Sequence, residues 1–174
     1  MPGAVFMRGE SVNLRTIEPE DHSFLHTFWN EPRIRYGAVR PTPLSEKDID
    51  DWSDPERGVH FLVCVEEQPV GIAMLIDVFH EAGNGEIGYW IIPDEQRKGY
   101  ATEAAGLVVK HAFHDQGLYK LIARTFADNE ASQRVLEKHG FEQEGQFHDH
   151  HYLNGERKDM SLFGVTRPEW ETQS

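Results

Sequence analysis

Between residues 86 and 116 the chain passes from a β-rich run, Glu86 to Ile92, through Gln96-Arg97-Lys98-Gly99-Tyr100-Ala101 into a run of helical period, Thr102 to Gln116. A strand that hands over to a helix across a glycine leaves successive backbone N–H groups at the helix start, where the helix dipole favours an anion. Gly99 lacks the Cβ that would hold a phosphate off the backbone, and Arg97 and Lys98 add positive charge. The segment reads as a phosphate cradle, and the rest of the chain must fold so as to support a strand-to-helix turn.

Ser11 to Ile17 has strand character, and Glu18-Pro19-Glu20-Asp21 opens a helix through about Asn30, with proline near the first position and acids in the first turn. Glu31-Pro32 ends it, residues 33–43 read as a loop, and Ser45 caps a short helix, with Asp48 three positions on, that stops by Pro55. His60 to Glu66, Val70 to Phe79 and Glu86 to Ile92 form three antiparallel strands. The helix after the cradle collects Ala101, Ala105, Val108, Val109, Ala112 and Phe113 on one face and ends at Gly117. Leu118 to Ala127 is the next strand. Asp128 or Asn129 caps a helix that buries Ala131, Val135 and Leu136, and Gly140 closes it. Asn154-Gly155 joins Gln146 to Leu153 with Glu156 to Val165 as a type I′ hairpin. This order is α+β, with mixed strand directions in one domain spanning residues 1–174.

The composition closes off several classes of function. A net charge of −13 argues against nucleic acid, which calls for a basic face, and favours amines, polyamines or basic protein tails; it serves equally as a solubility device. The absence of a long apolar run or a leader-like start points to a cytoplasmic protein with no membrane partner. Cys64 is the single cysteine and sits in an apolar strand, so neither a disulfide nor a cysteine-based metal framework is available. Gly83-Asn84-Gly85-Glu86-Ile87-Gly88 spells a dinucleotide fingerprint but precedes a strand, so it is a hairpin turn, and no Gly-Lys-Ser/Thr ending marks a nucleoside-triphosphate loop.

The pattern Gln/Arg-x-x-Gly-x-Gly/Ala, met by Gln96, Gly99 and Ala101, is joined by Glu86-Ile87-Gly88-Tyr89-Trp90-Ile91-Ile92-Pro93 before it and by the run from Asn129 to Phe141 after it. With these segments the chain resembles the GNAT superfamily of N-acetyltransferases, in particular the branch that acetylates the N-terminal residues of ribosomal proteins. The resemblance extends from Val12-Asn13-Leu14-Arg15 to the final hairpin with Asp159. It implies a mixed, mainly antiparallel sheet flanked by helices, and acetyl-CoA as acetyl donor with no metal.

By that resemblance the pyrophosphate lies on Gln96, Arg97, Lys98, Gly99, Tyr100, Ala101 and Thr102. The pantetheine arm follows the strand end at Ile91 and Ile92, one N–H near Ile91 polarises the thioester carbonyl, and Asn129 and Ser132 lie beside the arm and the sulfur. From the residues alone, Asn129 reads as a helix cap and Ser132 as a first-turn serine. Many superfamily members carry a tyrosine acid where this chain has Leu136, so Ser132 takes over assistance to the leaving thiolate.

Direct transfer needs a neutral amine, and two candidates stand to accept its proton. Glu86 at the start of the cofactor strand reads as a base acting through water or as a surface carboxylate. His151, where some ribosomal-branch members have a carboxylate, titrates near neutrality. Strand alternation places His148 and His150 on one face and Asp149 and His151 on the other; a zinc site on His148 and His150 has no third ligand placed by sequence, and the His22/His26 pair, though at ligand spacing, reads as a solvated or capping pair. Acceptor recognition falls to the loop 31–43 with Arg33, Arg35 and Tyr36, the helix Ser45 to Ser53 with Trp52, and the last hairpin, each of which also reads as plain surface. The acceptor is a protein or peptide α-amine in this reading, with polyamine, aminoglycoside or amino-acid acetylation as rivals and a non-catalytic acyl-CoA-binding module as the rival outside enzymes. The edge strands of such a sheet suit a homodimer by analogy.

Overall fold

The computed structural model describes residues 2–37, 42–50 and 58–173. Within them a sheet of eight strands runs in the order β1 (Val5–Arg8), β2 (Asn13–Arg15), β3 (Val59–Val65), β4 (Gln68–Phe79), β5 (Asn84–Ile91), β6 (Lys120–Phe126), β8 (Glu156–Thr166), β7 (Glu142–Leu153). Every neighbouring pair is antiparallel except β5 with β6. That one parallel junction follows from the connection, because the chain returns through the helix α4 (Tyr100–Lys110) between the two strands.

The sheet separates two apolar cores. On one face Leu14, Val63, Leu75, Ile87 and Leu121 meet Ala105, Val108, Val109 and Phe113 of α4 and its continuation, together with Leu136 of α5 (Glu130–Glu137). On the other, Leu62, Cys64, Ile72 and Met74 meet Leu25, Phe28 and Trp29 of α1 (His22–Asn30), Ile34 of α2 (Pro32–Gly37) and Ile49 of α3 (Glu46–Asp50). Leu121 is fully buried, so truncation to alanine removes packing worth about 2–5 kcal/mol. Cys64 is equally buried, which pushes its thiol up to about 11 and keeps it a packing residue.

Several local expectations hold. Pro19 opens a 3-10 turn ahead of α1, and Asp48 accepts from the Ser45 amide at 2.7 Å and from its hydroxyl at 2.6 Å. Asn154 and Gly155 both take positive φ, as a type I′ turn requires. Other expectations give way. β1 precedes the expected first strand, and that strand shortens to Asn13–Arg15. The segment read as a loop from residue 33 begins as α2, because Pro32 cannot extend α1 but suits the first turn of a new helix. Trp52 and Pro55 lie outside the described residues, as does the side chain of Tyr36. The helix after the cradle loosens into a π turn at His111–Asp115 before Gly117. In α5 Leu136 alone is buried; Ala131 is exposed and Val135 half-buried, because that side of the helix faces an open cleft.

Candidate active site

The cleft originates in a failure of pairing. β5 and β6 are bonded only over Asn84–Glu86 against Lys120–Ile122, and beyond Glu86 the two strands part. β4 continues to pair along the other edge of β5 as far as Ile91, and the Ile92 amide donates to the Val70 carbonyl at 2.8 Å. Alternation along the strand then turns the Tyr89 and Ile91 amides the other way, toward the gap. The gap is a cavity of about 570 Å³, walled by β5, by Ala123 to Phe126 of β6, by α5 and by the turn that opens α4.

At the cradle end the chain takes two left-handed residues, Arg97 at φ 63° and Gly99 at φ 88°, and no side chain caps α4. The carboxylate of Glu103, the acid in its first turn, instead accepts from the amides of Ser11 and Val12 at 2.9 and 3.2 Å. A Cβ built on Gly99 would meet no protein atom within 4 Å. The helix start is thus an open concavity of N–H donors, of a kind that fits a phosphate. Gly99, Tyr100, Ala101 and Thr102 line the cavity with Arg97 and Gln96. The Gln96 amide turns inward and donates to the Ile91 carbonyl at 2.9 Å, which ties the cradle to the strand end.

Lys98 lies outside the cavity lining, drawn to Glu95 at 2.9 Å, whose hydrogen bond raises the ammonium pKa. Ile92 is likewise not part of the lining, while Ile91 is. Asn129 accepts from the Ser132 amide at 3.1 Å, so it is the helix cap, and both residues also line the cavity. The hydroxyl of Ser132 lies 3.0 Å from the phenol of Tyr89. Leu136 is buried and places no proton donor there.

At the opposite end Glu86, nearly buried, accepts from Arg124 through both oxygens, Nε at 3.0 Å and Nη2 at 2.6 Å. This bidentate bond raises the guanidinium pKa, with Asp77 a further carboxylate at 3.9 Å. Both oxygens of Glu86 are therefore engaged. His151 is not among the cavity-lining residues, but its ring packs edge-on against Phe126, which is. Burial, then the neighbouring His150 and Arg124, hold the His151 pKa below its ordinary value of 6.5.

The alternation expected over residues 148–151 is interrupted. The register shifts between Phe147 and His151 and Asp149 takes φ 51°, a bulge that lets the Asp149 amide donate to Asp159 at 2.8 Å while His148 and Gln146 bond the same carboxylate. The sequence reading had no place for Tyr89 or Arg124. Tyr89 lies inside a segment already singled out, and its alternation with Trp90 carried the available signal; Arg124 becomes visible only once β6 is set beside β5.

Comparison with known proteins agrees with this geometry. Residues 11–142 match the model of the acetyltransferase (GNAT) domain. The chain is 30% identical over 157 residues to the spermidine N(1)-acetyltransferase of Escherichia coli (strain K12), covering 86% of this chain and 82% of that protein. It is 27% identical over 173 residues to the putative ribosomal N-acetyltransferase YdaF of Bacillus subtilis (strain 168), covering 93% and 94%. The structure of spermidine N-acetyltransferase from Vibrio cholerae in complex with CoA and spermine superposes with a TM-score of 0.87 at 20% identity, over 94% of this chain and 99% of that one, which is a likeness of fold. With a family match over most of its length and a splayed sheet ending in an open helix start, this chain belongs to the GNAT acetyltransferase family.

Proposed function

We propose that this acetyltransferase moves the acetyl group of acetyl-CoA to the N-terminal α-amine of a peptide or protein, by direct attack in a ternary complex. The observation that carries the choice of acceptor is that, among the described residues, both carboxylates lining the cavity are paired with a cation, Glu86 with Arg124 and Glu95 with Lys98. A polyamine needs unpaired carboxylates for its second and third charges, whereas an α-amine presents a single nitrogen that must be neutral to react. Such an amine has a pKa near ~8, so it is deprotonated with little help.

In this reading the N–H groups from Arg97 to Thr102 and the Arg97 guanidinium hold the pyrophosphate, and the unpaired edge of β5 holds the pantetheine arm. The Ile91 amide donates to the thioester oxygen as the carbon becomes tetrahedral. The amine nitrogen bonds to the carbonyl carbon and loses its proton to His151, which its surroundings keep neutral. As the C–S bond breaks, the electron pair leaves on sulfur, and Ser132 donates a hydrogen bond to the thiolate. Glu86 fixes Arg124 at the acceptor mouth rather than serving as the base, because both its oxygens are engaged.

A second reading, acetylation of a small amine such as a polyamine, is favoured by the net charge of −13 and by the similarity to a spermidine N(1)-acetyltransferase. Thiol release from acetyl-CoA with N-terminal peptides, polyamines, aminoglycosides and amino acids, against a control lacking acceptor, decides between them. Release with peptides alone is expected. Release with polyamines alone would replace the reading, and tight coenzyme binding with no turnover of any amine would point to a binding module.

A further inference from the structure

Ser132 is a weak proton donor whose hydroxyl rotates freely unless something fixes it. Tyr89 is placed to fix it. Tyr89 projects from β5 across the cavity wall, with its phenol oxygen 3.0 Å from Ser132 Oγ and 3.2 Å from the Ser132 carbonyl oxygen. The Asn129 side chain pins the Ser132 amide from below, so the backbone that carries the hydroxyl is held as well. We propose that Tyr89 is a positioning residue for the acetyl transfer, fixing the Ser132 hydroxyl so that its hydrogen points at the leaving sulfur. This inference rests on the reading of Ser132 as the group beside that sulfur.

The proton inventory gives the mechanism. Tyr89 has one O–H and two acceptors in reach. When it donates to the carbonyl, Ser132 must donate back to the phenol oxygen, and its hydrogen is withheld from the cavity. When it donates to Oγ, the Ser132 hydrogen is displaced from the phenol and turned into the cavity, and the incoming hydrogen bond makes that hydrogen a better donor. Negative charge developing on sulfur selects the second arrangement. Burial raises the Tyr89 hydroxyl to about 12, outweighing the opposite pull of Ser132, so the phenol keeps its proton at neutral pH. The site thereby regains a tyrosine at the leaving group although α5 carries Leu136, with the phenol supplied from the facing strand and acting through the serine.

The test is a double-mutant cycle with Tyr89→Phe and Ser132→Ala, read as kcat, acetyl-CoA KM and coenzyme affinity, with the melting temperature as a folding control. Ser132→Ala is expected to lower kcat by about 30-fold and Tyr89→Phe by about 10-fold, both with KM and affinity within about twofold of wild type. Because Tyr89 acts through Ser132, the double variant should be no slower than Ser132→Ala alone. Multiplication of the two effects would overturn the inference and make Tyr89 an independent contributor. A Tyr89→Phe enzyme with wild-type kcat beside an impaired Ser132→Ala enzyme would overturn the inference alone, while a wild-type Ser132→Ala enzyme would overturn the assignment of Ser132 beneath it.

Discussion

At the cradle, consecutive residues from Gln96 to Ala101 supply the donors, the glycine and the cation, and the strand-to-helix turn that contains them aims them all at one point. At the other end of the same cleft the bidentate pair Glu86–Arg124 joins β5 to β6, with Asp77 of β4 and His151 of β7 near the guanidinium, and the four come together only through the sheet order β4-β5-β6-β8-β7. The first region offers an anion chiefly backbone, which sequence variation barely touches; the second presents side chains, which a single substitution replaces. A family that keeps one cosubstrate and varies its acceptor is expected to divide its cleft in this way.

The largest effect should come from charging the cradle. Gly99→Glu puts a carboxylate where the helix start invites an anion, and coenzyme affinity measured by calorimetry should fall by about 100-fold or more, since like charges in contact cost several kcal/mol. Gly99→Ala, whose Cβ has open space but whose φ of 88° strains any L residue, should instead cost about 1–2 kcal/mol of stability and little affinity. Equal losses of affinity in the two variants would mean that backbone conformation, not room for a phosphate, is what the glycine provides.

Removing the cation at the other end sharpens the contrast. Arg124→Leu leaves the nearly buried Glu86 without its bidentate partner, a loss of about 1–3 kcal/mol in chemical denaturation. Glu86→Gln in the Arg124→Leu background should restore part of it. Coenzyme affinity should stay within about twofold while the acceptor KM rises. A matching fall in coenzyme affinity would show that the two ends are not separable.

On the proposed mechanism, pH reports on His151. Below its pKa, which lies under 6.5, the imidazole is charged and accepts no proton, and the amine is protonated there too. The acid limb of kcat/KM should therefore steepen from slope one to slope two as pH falls through the His151 value. His151→Ala should keep slope one throughout and lower the plateau by about 10-fold to 100-fold. An unchanged profile in the variant would remove His151 from the mechanism.

The same division explains what the sequence made legible. The cradle, the Asn129 cap and the Asn154-Gly155 turn depend on residues within a few positions of one another, so their chemistry can be read directly from the order of the chain. The bidentate Glu86–Arg124 pair and the Tyr89–Ser132 contact join residues whose proximity depends on strand order and on β5 parting from β6, and neither is written locally. Within the legible part, competing local bonds changed details: the Lys98 ammonium pairs with Glu95 in this structure, and the Asp149 amide bonds Asp159 and breaks the regular alternation.

The smallest expected effect tests whether the cradle is as self-contained as its sequence suggests. His139, just beyond α5, bonds the Thr102 carbonyl through Nε2 at 2.7 Å, and its ring lies so close to Gly106 that a Cβ there would meet Cε1 at 2.7 Å. A carbonyl only accepts, so Nε2 carries the hydrogen. Burial lowers the His139 pKa, against the upward pull of the Thr102 bond, and nearby Lys138 lowers it further. The folded state therefore binds the proton less readily than the unfolded chain. The stabilisation is fully present above the unfolded value near 6.5 and is lost as pH falls from there through the folded value. His139→Gln, which keeps an N–H donor but does not titrate, should remove that part of the acid slope in the melting temperature. His139→Ala should cost about 1 kcal/mol at pH 8 for the lost bond. If coenzyme affinity in the alanine variant also falls several-fold with its fold intact, the first turn of α4 is held in place from α5, and the cradle depends on a distant contact just as the acceptor end does.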